Sequence, residues 1–269
     1  MNAILNELVP ALRVEYLKVR RSKTLWLTVF GFILATVIGG LFMFILKDPE
    51  RARQLGIIGA KAQVLGGTAD WSSFINLMLL LVSIGGLIIF GFIFVWIFGR
   101  EYSDKTYYDM LSLPTSRVMI VIAKIITAAY WSMALVLLSF VIMLGIGAAL
   151  QLPGWSSATA MHGLALLLGT GGLTVLGCIT FGLIASITRG YLPAVGGIFL
   201  VLVLGQIINQ IDYGQYFPWN VPMMYSGAAQ ALSGKTAAPL GFISYFLVLV
   251  VGIISIIVTG AWWRYADQN

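Results

Sequence analysis

Six apolar runs set the pattern of the chain, from Leu25 to Leu46, Phe74 to Phe98, Val118 to Leu150, Thr159 to Ile187, Leu192 to Ile211 and Leu240 to Trp263. A bilayer core of roughly 30 Å takes roughly 20 apolar residues of helix, and each run meets that length. None shows the short, strictly alternating segments of a transmembrane barrel, and only helices or closed barrels satisfy every backbone group within lipid. The pattern therefore predicts an all-α membrane protein, a single transmembrane domain over 1–269 built as a bundle of six transmembrane helices.

The stretches between the runs carry their own periodicity. Residues Pro10 to Lys23 read as a short helix ahead of the first span, within an N-terminal interfacial elbow over 1–24. Leu12, Tyr16 and Val19 share one stripe, Arg13 and Arg20 lie on the other side, and Pro10 suits the first helical turn. Such a helix is expected in the headgroup plane, with Tyr16 and the apolar stripe among acyl chains and Arg13, Lys18, Arg20 and Arg21 toward anionic lipid. A solvated cytoplasmic extension is the plainer alternative.

The connection over 99–117, GREYSDKTYYDMLSLPTSR, is the most informative stretch. Ser103 or Asp104 can cap a short helix, and Tyr107, Met110 and Leu111 then fall at i, i+3 and i+4 on one face. Pro114 should end that helix near Leu113, and Thr115 or Ser116 can cap the third span. A compact helix parallel to the membrane and tightly joined to two spans can act as a rigid lever. The connections 151–158 and 188–191 are short, so the middle spans are antiparallel neighbours. The last connection, 212–239, concentrates Tyr213, Tyr216, Phe217, Trp219 and Tyr225 with Pro218 and Pro222. That composition suits either interfacial or re-entrant helices on the outer face or a simple aromatic belt at a span end.

Composition agrees with this layout. The chain is 59% hydrophobic and 10% charged with a mean hydropathy of +0.95, too few charges to coat a soluble globule of 269 residues. The net charge of +6 matters less for nucleic acid than for topology. Eleven cations (Arg13, Lys18, Arg20, Arg21, Lys23, Arg100, Lys105, Arg117, Lys124, Arg189 and Arg264) fall on one side, against five on the other (Lys47, Arg51, Arg53, Lys61 and Lys235). By the positive-inside rule both termini are expected in the cytoplasm. The mixed residues before the first run, and that run's length, do not fit a cleaved signal. The single cysteine, Cys178, excludes an internal disulfide and reads as a small packing residue.

Several chemistries are disfavoured. One His (His162) and one Cys leave too few ligands for zinc, and the His has no carboxylate near it in sequence to build a hydrolase. The segment 229–236, AQALSGKT, matches a relaxed phosphate-loop pattern, but it lacks the first glycine and a preceding strand and reads as a chance match. The predicted spans contain no Asp or Glu, so proton coupling is not expected. Lys124 is expected to snorkel to the near rim, and Gln206, Asn209 and Gln210 cluster at the far end of the fifth run. Small residues at four-residue spacing, Gly145 with Ala149, Ala165 with Gly169 and Gly182 with Ser186, support close helix packing.

The basic segment LRVEYLKVRRSKTLWL at 12–27, the REYSDKTYYDMLSLPTSR segment after the second run, six spans and an aromatic outer loop together resemble the ABC-2 type permeases. These are membrane subunits of bacterial ATP-binding-cassette exporters, and the subgroup linked to bacitracin and lantibiotic resistance is the most similar. Glu101, Thr106, Leu111, Pro114, Ser116 and Arg117 match that family's E, T, L, P-x-S-R pattern, whereas many members carry glycine at the position of Lys105. The resemblance implies a coupling helix that docks on a cytosolic ABC ATPase, with Tyr107, Met110 and Leu111 in the groove and Arg100, Glu101 and Arg117 orienting the helix. It implies a second permease copy or sister permease, an amphipathic substrate such as a peptide antibiotic, drug or lipid-linked molecule, and a bacterial plasma membrane. ATP and Mg would sit on the partner, with no cofactor in this chain. A secondary transporter or channel working alone, or a membrane scaffold or sensor, are the alternatives left by the residues themselves.

Overall fold

The computed structural model describes residues 2–48, 68–104, 116–227 and 240–265. Helix α1 (Asn2–Arg21) precedes the spans α2 (Lys23–Leu46), α3 (Trp71–Ser103), α4 (Arg117–Ala149), α5 (Ser157–Ile187) and α6 (Leu192–Gln210). A short α7 (Val221–Tyr225) and the last span, α8 (Phe242–Tyr265), complete the described elements. All six apolar runs are thus membrane-spanning helices, and the protein is a multi-pass α-helical bundle.

Side-chain caps explain where the spans begin. Ser22 breaks α1 from α2 with extended backbone, and its hydroxyl accepts from the Leu25 N–H. Ser116 and Ser156 do the same for α4 and α5 through Met119 and Thr159. Asp70 caps α3, its carboxylate accepting from the Ser73 N–H at 2.7 Å. Burial works against ionised Asp70, but the Thr68 hydroxyl and the Ser73 N–H outweigh it and hold the carboxyl below its ordinary pKa. The stabilisation is therefore complete above the ordinary carboxylate range and is lost as pH falls through the lower folded value. Asp70→Ala should cost about 1 kcal/mol of stability at pH 7 and nothing further on acidification, whereas the parent loses that increment below about pH 4. Unfolding midpoints of both proteins at pH 7 and pH 3 check this.

Helices α3 and α4 are 33 residues each, about 50 Å at 1.5 Å per residue, so both outrun a bilayer core. At one rim the ends of α2 and α4 coincide, since Lys47 Nζ donates to the Leu150 carbonyl at 2.8 Å. Toward the other rim, Trp131 Nε1 donates to Thr28 Oγ1 at 3.1 Å, so much of α4 before Trp131 runs beyond the start of α2. Helix α1 packs on that surplus, and we call this end the α1 rim. Away from the bundle α2 shows Trp26, Leu27, Phe30, Leu34, Ile38 and Leu41 to its surroundings, as a lipid-facing helix must.

Two expectations for the N-terminal helix are corrected. It starts at Asn2, with Pro10 inside it rather than in its first turn. Its most buried positions are Glu15 and Val19, while Tyr16 is 43% exposed with its ring edge-on to Tyr130. A carboxylate takes the inner face because Lys124 of α4 and Lys18 of α1 itself meet it there.

The segment after α6 turns back into the bundle. Trp219 Nε1 donates to the Gly177 carbonyl of α5, and Asn220 Nδ2 donates to the Gly205 carbonyl of α6. Gly177 adjoins Cys178, whose thiol contacts the Leu87 carbonyl, and Leu87 lies near the level of the middle of α2, where Phe32 stacks on Phe90. Trp219 therefore reaches about 15 Å from the α1-rim end of α5, near the centre of the apolar layer. Both contacts are close at the glycines: a Cβ on Gly205 would lie 2.5 Å from Asn220 Oδ1, so that side chain would have to shift, and one on Gly177 would lie 3.0 Å from the Trp219 ring. Of the two sequence-level alternatives for 212–239, the described part to Gly227 is thus re-entrant. It meets α3 at a π-helical turn, Leu81–Gly85, where Ser83 Oγ donates to the Leu79 carbonyl and lies 3.1 Å from Ser226 Oγ. The 229–236 segment lies outside the described residues.

Candidate functional site

Four charged side chains from three helices converge at the α1 rim. Lys124 of α4 is fully buried, Glu101 of α3 is 1% exposed and Glu15 of α1 is 4% exposed. Lys124 Nζ lies 2.9 Å from Glu101 Oε1, 3.2 Å from Glu15 Oε2 and 3.2 Å from the Ile97 carbonyl. Its three N–H donors each have an acceptor. Lys18 closes the ring, 2.9 Å from both Glu15 Oε1 and Glu101 Oε1. Two cations balance two carboxylates, the condition under which charges tolerate burial. Burial works against charged Lys18, yet the two carboxylates prevail and raise its pKa above an ordinary lysine's. Its contribution is thus complete at neutral pH and is lost only as pH rises through that alkaline value.

This arrangement corrects two sequence expectations. Lys124 does not snorkel: no lipid or solvent surface remains to it, because acceptors inside the bundle are nearer than the headgroups. The spans are not free of carboxylates either, because α3 continues past Phe98 to Ser103 and carries Glu101 inward. Ser103 is thus the last residue of α3, with Asp104 at its C-cap.

Trp263, near the end of α8, braces the cluster. Its ring centroid is 5.9 Å from Lys124 Nζ, its indole donates to Ser186 Oγ of α5, and its carbonyl accepts from Arg117. Phe98 and Tyr102 pack edge-on against it. At the far end of α1, Glu7 Oε2 accepts from the Ser116 N–H at 3.2 Å. Helix α1 therefore holds both roots of the 105–115 connection, through Lys18 to Glu101 on one side and through Glu7 to Ser116 on the other.

The sequence-predicted coupling residues divide accordingly. Glu101 lies at one root, held by Lys18 and Lys124, and Ser116 and Arg117 lie at the other, held by Glu7 and the Trp263 carbonyl. Arg100 faces away from the cluster, over the Trp96 ring at 4.8 Å and 3.6 Å from Asp104. Thr106, Tyr107, Met110, Leu111 and Pro114 lie outside the described residues. Of the membrane-interface set, Lys18 turns inward, while Arg13, Tyr16, Arg20 and Arg21 stay exposed. Glu7, Glu15, Lys124 and Trp263 were missed. A usable signal existed in Glu15 and Lys18, three residues apart on one helical face, and in a lysine set within an apolar run.

Comparison with known proteins fits this geometry. The family described as ABC-2 family transporter protein matches residues 11–206, from inside α1 to near the end of α6. The bacitracin transport permease protein BCRB of Bacillus licheniformis is 24% identical over 186 residues, covering 69% of this chain and 88% of that one. With more than half of its length matched by the family, and six spanning helices in place, this chain belongs to the ABC-2 transporter family as the transmembrane permease of an ABC transporter.

Proposed function

We propose that this permease is an exporter subunit driven by a separate cytosolic ABC ATPase, and that the 105–115 connection is the lever on which the ATPase acts. The reading rests on one observation above all: an ion-pair ring centred on buried Lys124 and Glu101 sits at the base of that connection, and α1 clasps both of its roots. A push on the connection meets stiff, short-range polar contacts, so it shifts α1, α3 and α4 together instead of being absorbed by loose side chains. Tyr107, Met110 and Leu111 form the docking face, Pro114 and Thr106 shape the turn, and Arg100, Glu101, Ser116 and Arg117 anchor it. The α1 rim faces the cytoplasm, with both termini on that side, and Arg13, Tyr16, Arg20 and Arg21 lie against the inner leaflet.

ATP and Mg belong to the partner in this reading, and a second permease copy or a sister chain completes the path. The cargo is amphipathic, in keeping with apolar helix walls, and the bacitracin named for the relative makes a peptide antibiotic the first candidate. Leu111→Arg places a charge on the docking face. It should abolish co-purification of the cognate cytosolic ABC ATPase while leaving the permease folded and inserted. Unchanged association, or labelling of Cys-substituted Tyr107 from outside intact cells, would overturn the proposal.

A further inference from the structure

A second site adjoins the cluster on its outward side. A cavity of about 540 Å³ opens at the α1 rim between α1, the start of α2, the end of α3 and the start of α6. Among the described residues Lys18, Arg21 and Arg100 line it, against one carboxylate, Asp104, and Trp96 and Tyr191 form its walls. The Arg100 guanidinium lies over the Trp96 ring, which orients its N–H edge. Thr24 belongs both to this basic cavity and to a second one of about 320 Å³ that runs into the apolar layer between α2, α3 and α6. That second cavity is walled by Leu27, Gly31, Ile88 and Phe92, among other apolar residues. There is free space beside Gly31, where a Cβ would meet its first neighbour, Ile89, only at 3.7 Å.

The two cavities make one amphipathic seat: a cationic mouth at headgroup level continuing into an apolar slot at acyl-chain level. From Thr24 to Gly31 the slot extends about 10 Å along α2. A soluble phosphate has no use for the slot, and a neutral lipid has no use for the cations. We propose that this seat holds an anionic glycerophospholipid of the leaflet on the α1 rim, its phosphate between Arg21 and Arg100 and one acyl chain in the groove between α2, α3 and α6. Basic pockets between spanning helices are suited to such headgroups. The assignment stands whether or not the 105–115 connection docks an ATPase.

The test is native mass spectrometry of the purified, delipidated chain titrated with phosphatidylglycerol, phosphatidylcholine or inorganic phosphate. One phosphatidylglycerol should be retained per chain at an affinity at least roughly tenfold above that for phosphatidylcholine. The R21Q/R100Q variant should lose that preference, and the R13Q/R20Q variant, equal in charge removed and on exposed positions of α1, should keep it. Gly31→Leu should weaken retention with every cation in place. Because a variant can fail by misfolding, the unaltered chain is also treated with phosphatidylglycerol carrying a photoreactive acyl chain, which should label α2 between Leu27 and Gly31 or α3 between Ile88 and Phe92. Equal binding of the two lipids, equal loss in both double variants, displacement by inorganic phosphate, or labelling confined to other helices would each overturn the site.

Discussion

Glu101→Gln should be the most damaging single change in the bundle, because it strands a lysine with no exposed surface among only one remaining carboxylate and a carbonyl. Breaking a buried ion pair from one side costs about 3–5 kcal/mol, since the charge left behind keeps its desolvation penalty. Lys124→Met should cost less, at the lower end of that range, because Glu101 retains Lys18 at 2.9 Å. The double variant E101Q/K124M leaves the neutral pair Lys18 and Glu15, and it should be more stable than the sum of the single losses predicts by about 1–3 kcal/mol. Unfolding of the four proteins in mixed micelles gives the cycle. Strict additivity would mean that the ring is not an energetic unit. A charge exchange should not rescue: a lysine at 101 would face Lys18, and a glutamate at 124 would face Glu15.

Trp219→Ala should have the next largest effect. The indole fills space against Gly177, tilts against the Phe217 ring at 5.2 Å, and donates to the Gly177 backbone carbonyl at 3.0 Å. Losing a large, half-buried aromatic costs about 2–3 kcal/mol, below the full-burial value, and the Gly177 carbonyl keeps its own helical partner within α5. Trp219→Phe keeps most of the volume and loses only the hydrogen bond, so it should recover more than half of the loss. Thermal unfolding in detergent measures both. Equal destabilisation by Ala and Phe would put the hydrogen bond first and the packing second; no destabilisation by either would mean that the re-entrant turn is not held by this contact.

These two sites differ in how far they could be read ahead of the structure. Glu101 could be picked out through its match to the ABC-2 permease pattern around the connection, and Lys124 stood out as the one cation within the apolar runs, about two turns from the near end of the third. Their pairing could not, because Glu15, Glu101 and Lys124 are far apart in the chain and no local rule relates them. The inner face of α1 was illegible for the same cause: hydrophobic periodicity marks an apolar stripe, and a cation on another helix can draw a single carboxylate, Glu15, into the bundle. The re-entrant turn was half legible. Aromatic and proline density marked 212–239 as a special segment, but only Gly177 and Gly205, small enough to admit Trp219 and Asn220, determine that it enters the layer.

The amino-acid sequence by itself determined the number of spans, their approximate ends and the all-α class, because the bilayer imposes one length scale and one backbone solution on any apolar run. It also marked the 99–117 connection through caps and a proline, which act within a few residues. Only the tertiary structure decided which charges neutralise one another, which face of α1 is inward, and how deep the turn after α6 descends. Those outcomes depend on distances between helices, set by side-chain packing over the whole bundle and not by any stretch of neighbouring residues.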